Sequence, residues 1–120
     1  IFLVVDDDDD ASLLLKRALE KEFPGCLVIG CSCAREAEEN VSRIRFDAVI
    51  TDHKMAGESG IEVLRRVRKA GIACPVVMFT GNGDPSVERT AYDAGATKVF
   101  TGELSDFVGH LRVLLAANWN

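Results

Sequence analysis

Residues 1–12 read IFLVVDDDDDAS, five apolar residues followed by five consecutive aspartates and a short polar start of the next segment. The apolar run Ile1–Val5 is short and rich in branched side chains, so it predicts a buried strand. Two carboxylates about 5 Å apart repel by roughly 3 kcal/mol at an effective dielectric near 20. The run Asp6–Asp10 must therefore be solvated, or it must be offset by a cation.

Composition limits the class of protein. With 120 residues, 48% hydrophobic and 28% charged, residues 1–120 are predicted to form one globular domain. No apolar stretch approaches the roughly 18 residues of a membrane-spanning helix. The net charge of −5 and the scattered Lys and Arg residues argue against a nucleic-acid partner. The chain does not begin with Met, so we expect it to be a piece of a longer one, and flanking domains stay open.

The four cysteines do not have the spacing of a metal or disulfide framework. We interpret them as buried, reduced thiols, which predicts a cytoplasmic protein. The residues concerned are Cys26, Cys31, Cys33 and Cys74.

Apolar runs alternate with amphipathic segments along the chain. The strand candidates are Ile1–Val5, Cys26–Cys31, Ala48–Thr51, Pro75–Thr80 and Lys98–Thr101. A helical pattern follows each of them, although the second, over Arg35–Ile44, is weaker. Strands that alternate with helices predict right-handed βαβ units. The fold class is therefore α/β, with a five-stranded parallel sheet that is doubly wound and covered by helices on both faces.

Several helices have recognisable ends. The predicted starts are Ser59 with Glu62 as a capping box, Asp84 with Pro85, and Ser105, and the predicted stops are Gly71 and Gly95. The apolar stripes that should face the core are Leu14, Leu15, Ala18 and Leu19 on the first helix, and Phe107, Val108, Leu111, Leu114 and Leu115 on the last.

Polar residues follow the predicted strands at the edge where such sheets bind ligands, outside the strands' carboxyl ends. The first strand is followed by Asp6 and Asp7, the third by Asp52, and the fourth ends in Thr80 and Gly81. Three carboxylates and a hydroxyl thus converge on one edge. Oxygen ligands without His or Cys suit a hard cation, and Mg²⁺ usually takes one or two carboxylates and keeps waters that a phosphate oxygen can displace.

At these residues the sequence resembles the receiver domain of two-component response regulators. An acidic pair follows the first strand, Asp52 is followed by Met55 and Gly60 at spacings of three and eight, Thr80 precedes a small residue, and AGA occupies Ala94–Ala96. The resemblance covers essentially the whole chain. It implies a flavodoxin-like fold with strand order 2-1-3-4-5. The right-handedness of βαβ connections alone does not determine this order.

The resemblance also implies the roles of the acidic residues. Asp52 would be the phosphoacceptor, supplied by the phosphohistidine of a histidine kinase or phosphotransfer protein, or by a small acyl phosphate. Asp7 and Asp52 would bind Mg²⁺ directly with the backbone carbonyl of Lys54, and Asp6 would act through a metal-bound water. Phosphoryl transfer depends on positioning and charge neutralisation, which explains the need for a cation among acids.

By the same resemblance, the Thr80 hydroxyl and the Gly81 N–H would hold phosphate oxygens. Movement of Thr80 would then report phosphorylation to the surface. Such a domain is a signalling module and not an enzyme, beyond its own phosphorylation and dephosphorylation. The kinase, the output domain or partner protein, and dimerisation stay open.

The sequence departs from the family at several positions. Receivers usually carry Lys-Pro after the fifth strand, where the Lys pairs with the phosphate, and here Gly102 and Glu103 stand in that place. Val99 replaces the aromatic residue that rotates during switching, and Ala56 replaces a Pro, which should loosen the loop after the phosphoacceptor. As a hypothesis, Lys54 partly supplies the missing cation.

Three functions therefore stay open. The first is a phosphorylatable receiver, and the second is a receiver-fold interaction domain that works without phosphorylation, motivated by Gly102 and Val99. The third is a small Mg²⁺-dependent phosphohydrolase with Asp52 as nucleophile. It lacks an evident general acid.

Other conspicuous residues have ordinary interpretations. Asp8–Asp10 are predicted to be helix-start charges without a catalytic task. His53 is interpreted as a loop residue that contributes its backbone N–H, and His110 and Trp119 as surface or terminal packing. The segment Gly81–Gly83 lacks the remaining residues of a phosphate-binding loop, so nucleotide binding is not predicted.

Overall fold

A five-stranded parallel sheet forms the centre of the computed structural model, which describes residues 1–55, 57–81 and 84–118. Its strands are β1 (Phe2–Val5), β2 (Val28–Cys31), β3 (Ala48–Asp52), β6 (Val76–Thr80) and β7 (Lys98–Thr101). They pair in the order β2-β1-β3-β6-β7, which is the predicted order 2-1-3-4-5 of the core strands. A short antiparallel ribbon of β4 (Lys54–Met55) and β5 (Glu58–Ser59) follows β3.

Helices cover both faces of this sheet, so the predicted fold class is confirmed. They are α1 (Asp9–Glu22), α2 (Ala34–Arg43), α3 (Gly60–Lys69), α4 (Pro85–Asp93) and α5 (Leu104–Asn118). α1 and α5 pack on one face, and α2, α3 and α4 pack on the other. Side chains alternate along β1, where Leu3 and Val5 face one core and Phe2 and Val4 face the other. No helix within the described ranges is long and apolar enough to span a bilayer.

Four residues for which the sequence suggested an interpretation lie outside the described ranges. They are Ala56 with its predicted effect on the loop, Asn82 and Gly83 of the glycine-containing segment, and Trp119.

Most of the predicted helix ends are confirmed. The Asp84 side chain accepts a hydrogen bond from the Ser86 N–H at 2.9 Å, and Pro85 opens α4. Gly71 and Gly95 lie just beyond α3 and α4 with φ of +82° and +111°. Such positive φ angles are reached far more easily by glycine than by other residues, so these two residues end the helices as predicted.

Two predicted capping arrangements are wrong. Ser59 is the N-cap residue of α3, as predicted, but its side chain makes no capping bond. Glu62 pairs with Arg66, so it does not complete the predicted capping box. The last helix begins at Leu104, and the N–H groups of Asp106 and Phe107 donate to the Glu103 carbonyl. Ser105 therefore lies in the first turn of α5 and does not cap it.

The strand and stripe predictions need smaller corrections. Cys26 and Leu27 precede β2, and Leu27 is exposed. Leu14 is 59% exposed, so α1 buries a narrower stripe than its periodicity predicts. The four cysteines are free thiols, as predicted, but all are half-buried instead of fully buried. Burial still raises the pKa of Cys31 to about 12, with a smaller contribution from Glu36.

Candidate functional site

The strand register brings the predicted site residues to one edge of the sheet. Val5 of β1 lies opposite Thr51 of β3, so Asp6 and Asp52 are the next residues of two neighbouring strands. Thr80 ends β6, the neighbour of β3 on its other side. Asp6, Asp52 and Thr80 therefore meet at one edge of the sheet, as the sequence predicted.

An open cavity of about 270 Å³ lies beside Asp52. It is lined by Asp52, His53, Lys54, Thr80 and Gly81, so the structure gathers the predicted phosphate-binding residues around one space. A second, smaller cavity of about 160 Å³ is lined by Asp6 and Asp52 together with apolar side chains. Asp52 thus lines both a polar cavity and a largely apolar one.

The carboxylates of the site influence one another. Burial raises the pKa of Asp52, the Asp7 charge raises it further, and a 2.8 Å hydrogen bond from the His53 N–H opposes both. Burial also raises the pKa of Asp6, with further increases from Asp52 and Asp7, against a 3.0 Å hydrogen bond from the Asp8 N–H. The edge therefore holds more negative charge than its surroundings stabilise.

This donor set fits a hard cation that keeps part of its water. In residues 1–55, 57–81 and 84–118, no three His, Cys, Asp or Glu side chains are grouped closely enough to enclose a metal ion. A closed protein cage, typical of structural zinc, is therefore not formed by these residues. Mg²⁺ needs only one or two carboxylates beside waters and phosphate oxygens, and its charge would offset the carboxylates whose pKa is raised.

Gly60 brings the start of α3 against the backbone of Asp52. Its N–H donates to the His53 carbonyl at 2.8 Å. A Cβ atom at this position would overlap the Asp52 carbonyl oxygen and lie 3.2 Å from the Thr51 Oγ1. Only glycine allows this approach, so the residue that the sequence marked by spacing alone supports the strand that carries Asp52.

The acidic run divides between the site and the helix. Asp8 is the N-cap of α1, and its side chain accepts hydrogen bonds from the Asp10 N–H at 2.9 Å and the Ala11 N–H at 3.2 Å. Asp9 and Asp10 lie in the first turn, where negative charge is favourable. The predicted helix-start position of Asp8–Asp10 is confirmed. The structure adds that Asp8 caps the helix, which the sequence did not indicate.

Comparison with known proteins agrees with this fold. The family described as response regulator receiver domain matches residues 2–106. The chain belongs to this family. Its architecture is therefore that of a receiver domain in two-component signalling.

Curated relatives are longer than this receiver domain. The transcriptional regulatory protein TcrA of Mycobacterium tuberculosis is 33% identical over 114 residues, which cover 93% of this chain and 44% of the relative. The response regulator MprA of Mycolicibacterium vanbaalenii is 34% identical over 117 residues, covering 94% and 49%. The chain thus spans about half the length of these relatives.

Solved structures share the fold at lower sequence identity. The receiver domain of the Francisella response regulator 1452 superimposes with a TM-score of 0.84 at 20% identity, covering 97% of this chain and 96% of that one. At this identity the likeness supports the fold alone.

The receiver domain differs from its family at the end of β7. Gly102 has φ of +144°, and both Gly102 and Glu103 are exposed. Val99, at the position of the family's switch aromatic, is 6% exposed within the core. Its N–H donates to the Tyr92 hydroxyl at 3.1 Å, a contact between α4 and β7 that no sequence pattern indicated. The segment after β7 therefore supplies no cation, whereas exposed Lys54 lines the Asp52 cavity.

Replacing Asp52 with Asn should raise the melting temperature of the metal-free protein at pH 7. Because folding raises the pKa of Asp52 above its usual 3.8, ionisation of this carboxyl opposes folding. The penalty develops as the pH rises from 3.8 through the raised pKa, and it is fully present at neutral pH. Thermal unfolding in EDTA should show the gain at pH 7 and a smaller gain towards pH 4.

Asp93→Asn is the matched control, because Asp93 is exposed at the end of α4 and lines neither of the two cavities beside Asp52. It removes the same charge and should leave the melting temperature nearly unchanged. A lower melting temperature for Asp52→Asn at pH 7 would contradict the prediction.

Proposed function

We propose that this receiver domain accepts a phosphoryl group on Asp52 from the phosphohistidine of a histidine kinase or phosphotransfer protein, with Mg²⁺ as cofactor. The observation that carries the proposal is the cavity in which Asp52 meets Thr80, Gly81 and Lys54. A carboxylate nucleophile, a hydroxyl, a backbone N–H and an ammonium group are the parts that phosphoryl transfer needs around an attacking oxygen.

The transfer itself is a displacement at phosphorus. A carboxylate oxygen of Asp52 forms the new O–P bond as the N–P bond of the phosphohistidine breaks, and the donor imidazole leaves with the electron pair. Asp7, Asp52 and the Lys54 carbonyl would hold Mg²⁺, and Asp6 would act through a metal-bound water. The cation would supply charge neutralisation between phosphate and carboxylates.

Thr80, Gly81 and Lys54 would orient the transferred group. Thr80 and Gly81 line the same cavity as Asp52, where the Thr80 hydroxyl and the Gly81 N–H would donate to phosphate oxygens. Thr80 is 4% exposed, so a shift of its side chain towards phosphate would disturb the packing of β6. Lys54 would contribute the positive charge that Gly102 does not.

The output of the switch belongs to the same proposal. The chain would act as a phosphoacceptor and not as an enzyme, in the cytoplasm, where its free thiols stay reduced. Its signal would pass to an output domain or a partner protein. The relatives named as a transcriptional regulatory protein and a response regulator favour such an output beyond the receiver domain.

A second function is an interaction domain that works without phosphorylation. Exposed Gly102 and Glu103 after β7, and the buried Val99 in place of an aromatic switch residue, favour it. The two functions make opposite predictions for the chemistry of Asp52.

Intact mass measurement after incubation with acetyl phosphate and Mg²⁺ tests the proposal. We expect a labile adduct of about +80 Da, the mass of the transferred phosphoryl group, in the wild type. The adduct should be absent in Asp52→Asn and with EDTA, and present in Asp93→Asn. No adduct and no phosphate release in the wild type support the interaction domain, whereas multiple-turnover release of phosphate without accumulation of the adduct supports a phosphohydrolase.

A further inference from the structure

Glu58 caps a helix to which it is not adjacent in sequence. Its Oε1 accepts a hydrogen bond from the Ala34 N–H at 2.6 Å, across 24 residues of chain. The N-cap residue of α2 is Cys33, which makes no side-chain capping bond. A carboxylate is a favourable partner for the free N–H groups at a helix start. The ribbon after Asp52 thus supplies the cap that α2 lacks.

The ribbon carries a residue of the phosphorylation site. In the pairing of β4 with β5, Lys54 lies opposite Ser59 and Met55 lies opposite Glu58. Lys54 also lines the Asp52 cavity. An isolated ribbon of this length is not stable in water, so its contacts with the rest of the protein determine where Lys54 lies.

Contacts of three described residues help to anchor this ribbon. Met55 is buried in the core, Gly60 lies against the Asp52 carbonyl at the end of the ribbon, and Glu58 binds the start of α2. The first two hold the ribbon towards β3 and α3. Only the Glu58 bond, among these three, ties it to α2.

We propose that Glu58 is a positioning residue for the Lys54 backbone carbonyl and hence for Mg²⁺ binding beside Asp52. This inference rests on the proposed function, in which that carbonyl is a metal ligand. Partners of metal ligands typically change affinity 10- to 100-fold when they are removed. Glu58 acts through a short ribbon, so the lower part of this range is expected.

The alternative is that Glu58 only caps α2 and does not position Lys54. A comparison with Glu36 distinguishes these two roles. Glu36 accepts hydrogen bonds from the Ser32 N–H at 2.9 Å and the Ser32 Oγ at 2.8 Å, at the same helix start. These bonds lower the pKa of Glu36. Removal of either carboxylate weakens the start of α2, but only Glu58 belongs to the ribbon.

Calorimetric titration of the whole chain with Mg²⁺ alone, beside urea unfolding in EDTA, tests the proposal. Glu58→Ala should weaken Mg²⁺ binding about tenfold. Glu58→Gln keeps an acceptor oxygen without the charge and should bind Mg²⁺ within about twofold of the wild type. Glu36→Ala should lower the urea midpoint and leave Mg²⁺ affinity unchanged. Equal Mg²⁺ affinity for Glu58→Ala and wild type, or equal weakening by Glu36→Ala, would overturn it.

Amide hydrogen exchange in EDTA distinguishes a failure of this inference from a failure of the proposed function. Exchange at Lys54, Met55 and Ser59 should accelerate in Glu58→Ala and not in Glu36→Ala. Unchanged exchange overturns the positioning role even when the wild type binds Mg²⁺. Should the wild type bind no Mg²⁺, the proposed function fails, whereas faster exchange in Glu58→Ala alone still supports anchoring of the ribbon by Glu58.

Discussion

Asp7→Ala is expected to lower the initial rate of Mg²⁺-dependent Asp52 phosphorylation about 100-fold or more. The Asp7 charge raises the pKa of Asp52, so the two carboxylates are close enough to repel each other. In the proposed site both hold the cation, and removal of one ligand leaves incoming phosphate facing uncompensated negative charge. Mass measurement at several times after addition of acetyl phosphate gives the rate.

The rest of the acidic run provides the controls. Asp9→Ala and Asp10→Ala remove exposed charges of the first turn of α1 and should change the rate less than about threefold. Asp8→Ala removes the N-cap bonds, so the free energy of unfolding should fall by about 1 kcal/mol, with a nearly unchanged rate. A wild-type rate for Asp7→Ala, or an equal loss in Asp9→Ala, would contradict a specific role of Asp7.

Gly60→Ala is expected to lower the free energy of unfolding by about 2–3 kcal/mol. The added Cβ would overlap the Asp52 carbonyl oxygen, and backbone atoms cannot move away as the end of a flexible side chain can. Either α3 or the end of β3 must shift. Because β3 carries the proposed phosphoacceptor Asp52, phosphorylation should also slow, even under conditions in which the variant remains folded.

Urea unfolding in EDTA measures the change in stability, with Gly109→Ala as the matched control. Gly109 lies within α5, and a Cβ there would meet no heavy atom within 4 Å. Alanine should therefore stabilise α5 by about 0.5–1 kcal/mol. A Gly60→Ala protein as stable as the wild type would show that the close approach to Asp52 is not required.

The strand pattern was predictable because it depends on local features. Each core strand is a short apolar run, and the strand predicted for Lys98–Thr101 has the observed bounds. The stripe on α1 was predicted less well, since periodicity indicates which residues share a helix face but not how much of that face meets the sheet. Leu14 belongs to the stripe and yet lines the rim of the cavity beside Asp6 and Asp52.

Caps were predictable only where the acceptor is nearby in sequence. Asp84 and Pro85 form a local signal that α4 obeys. At α3 the Glu62 side chain had a competing partner in Arg66, so the predicted box did not form. Whether Glu62 caps the helix or pairs with Arg66 depends on how the helix packs. The spacing of Ser59 and Glu62 in the sequence gives no information about that packing.

The sequence by itself determined how the core strands and helices alternate along the chain and which residues stand at the carboxyl ends of those strands, because apolar runs, turns and helix starts are local. It did not indicate the short ribbon of β4 and β5. Only the tertiary structure decided which distant groups meet. The Glu58 carboxylate binds the start of α2, the Val99 N–H binds the Tyr92 hydroxyl, and Gly60 lies against the Asp52 carbonyl. These contacts join separate segments of chain, and their geometry follows from the packing of helices on the sheet, which no local pattern encodes.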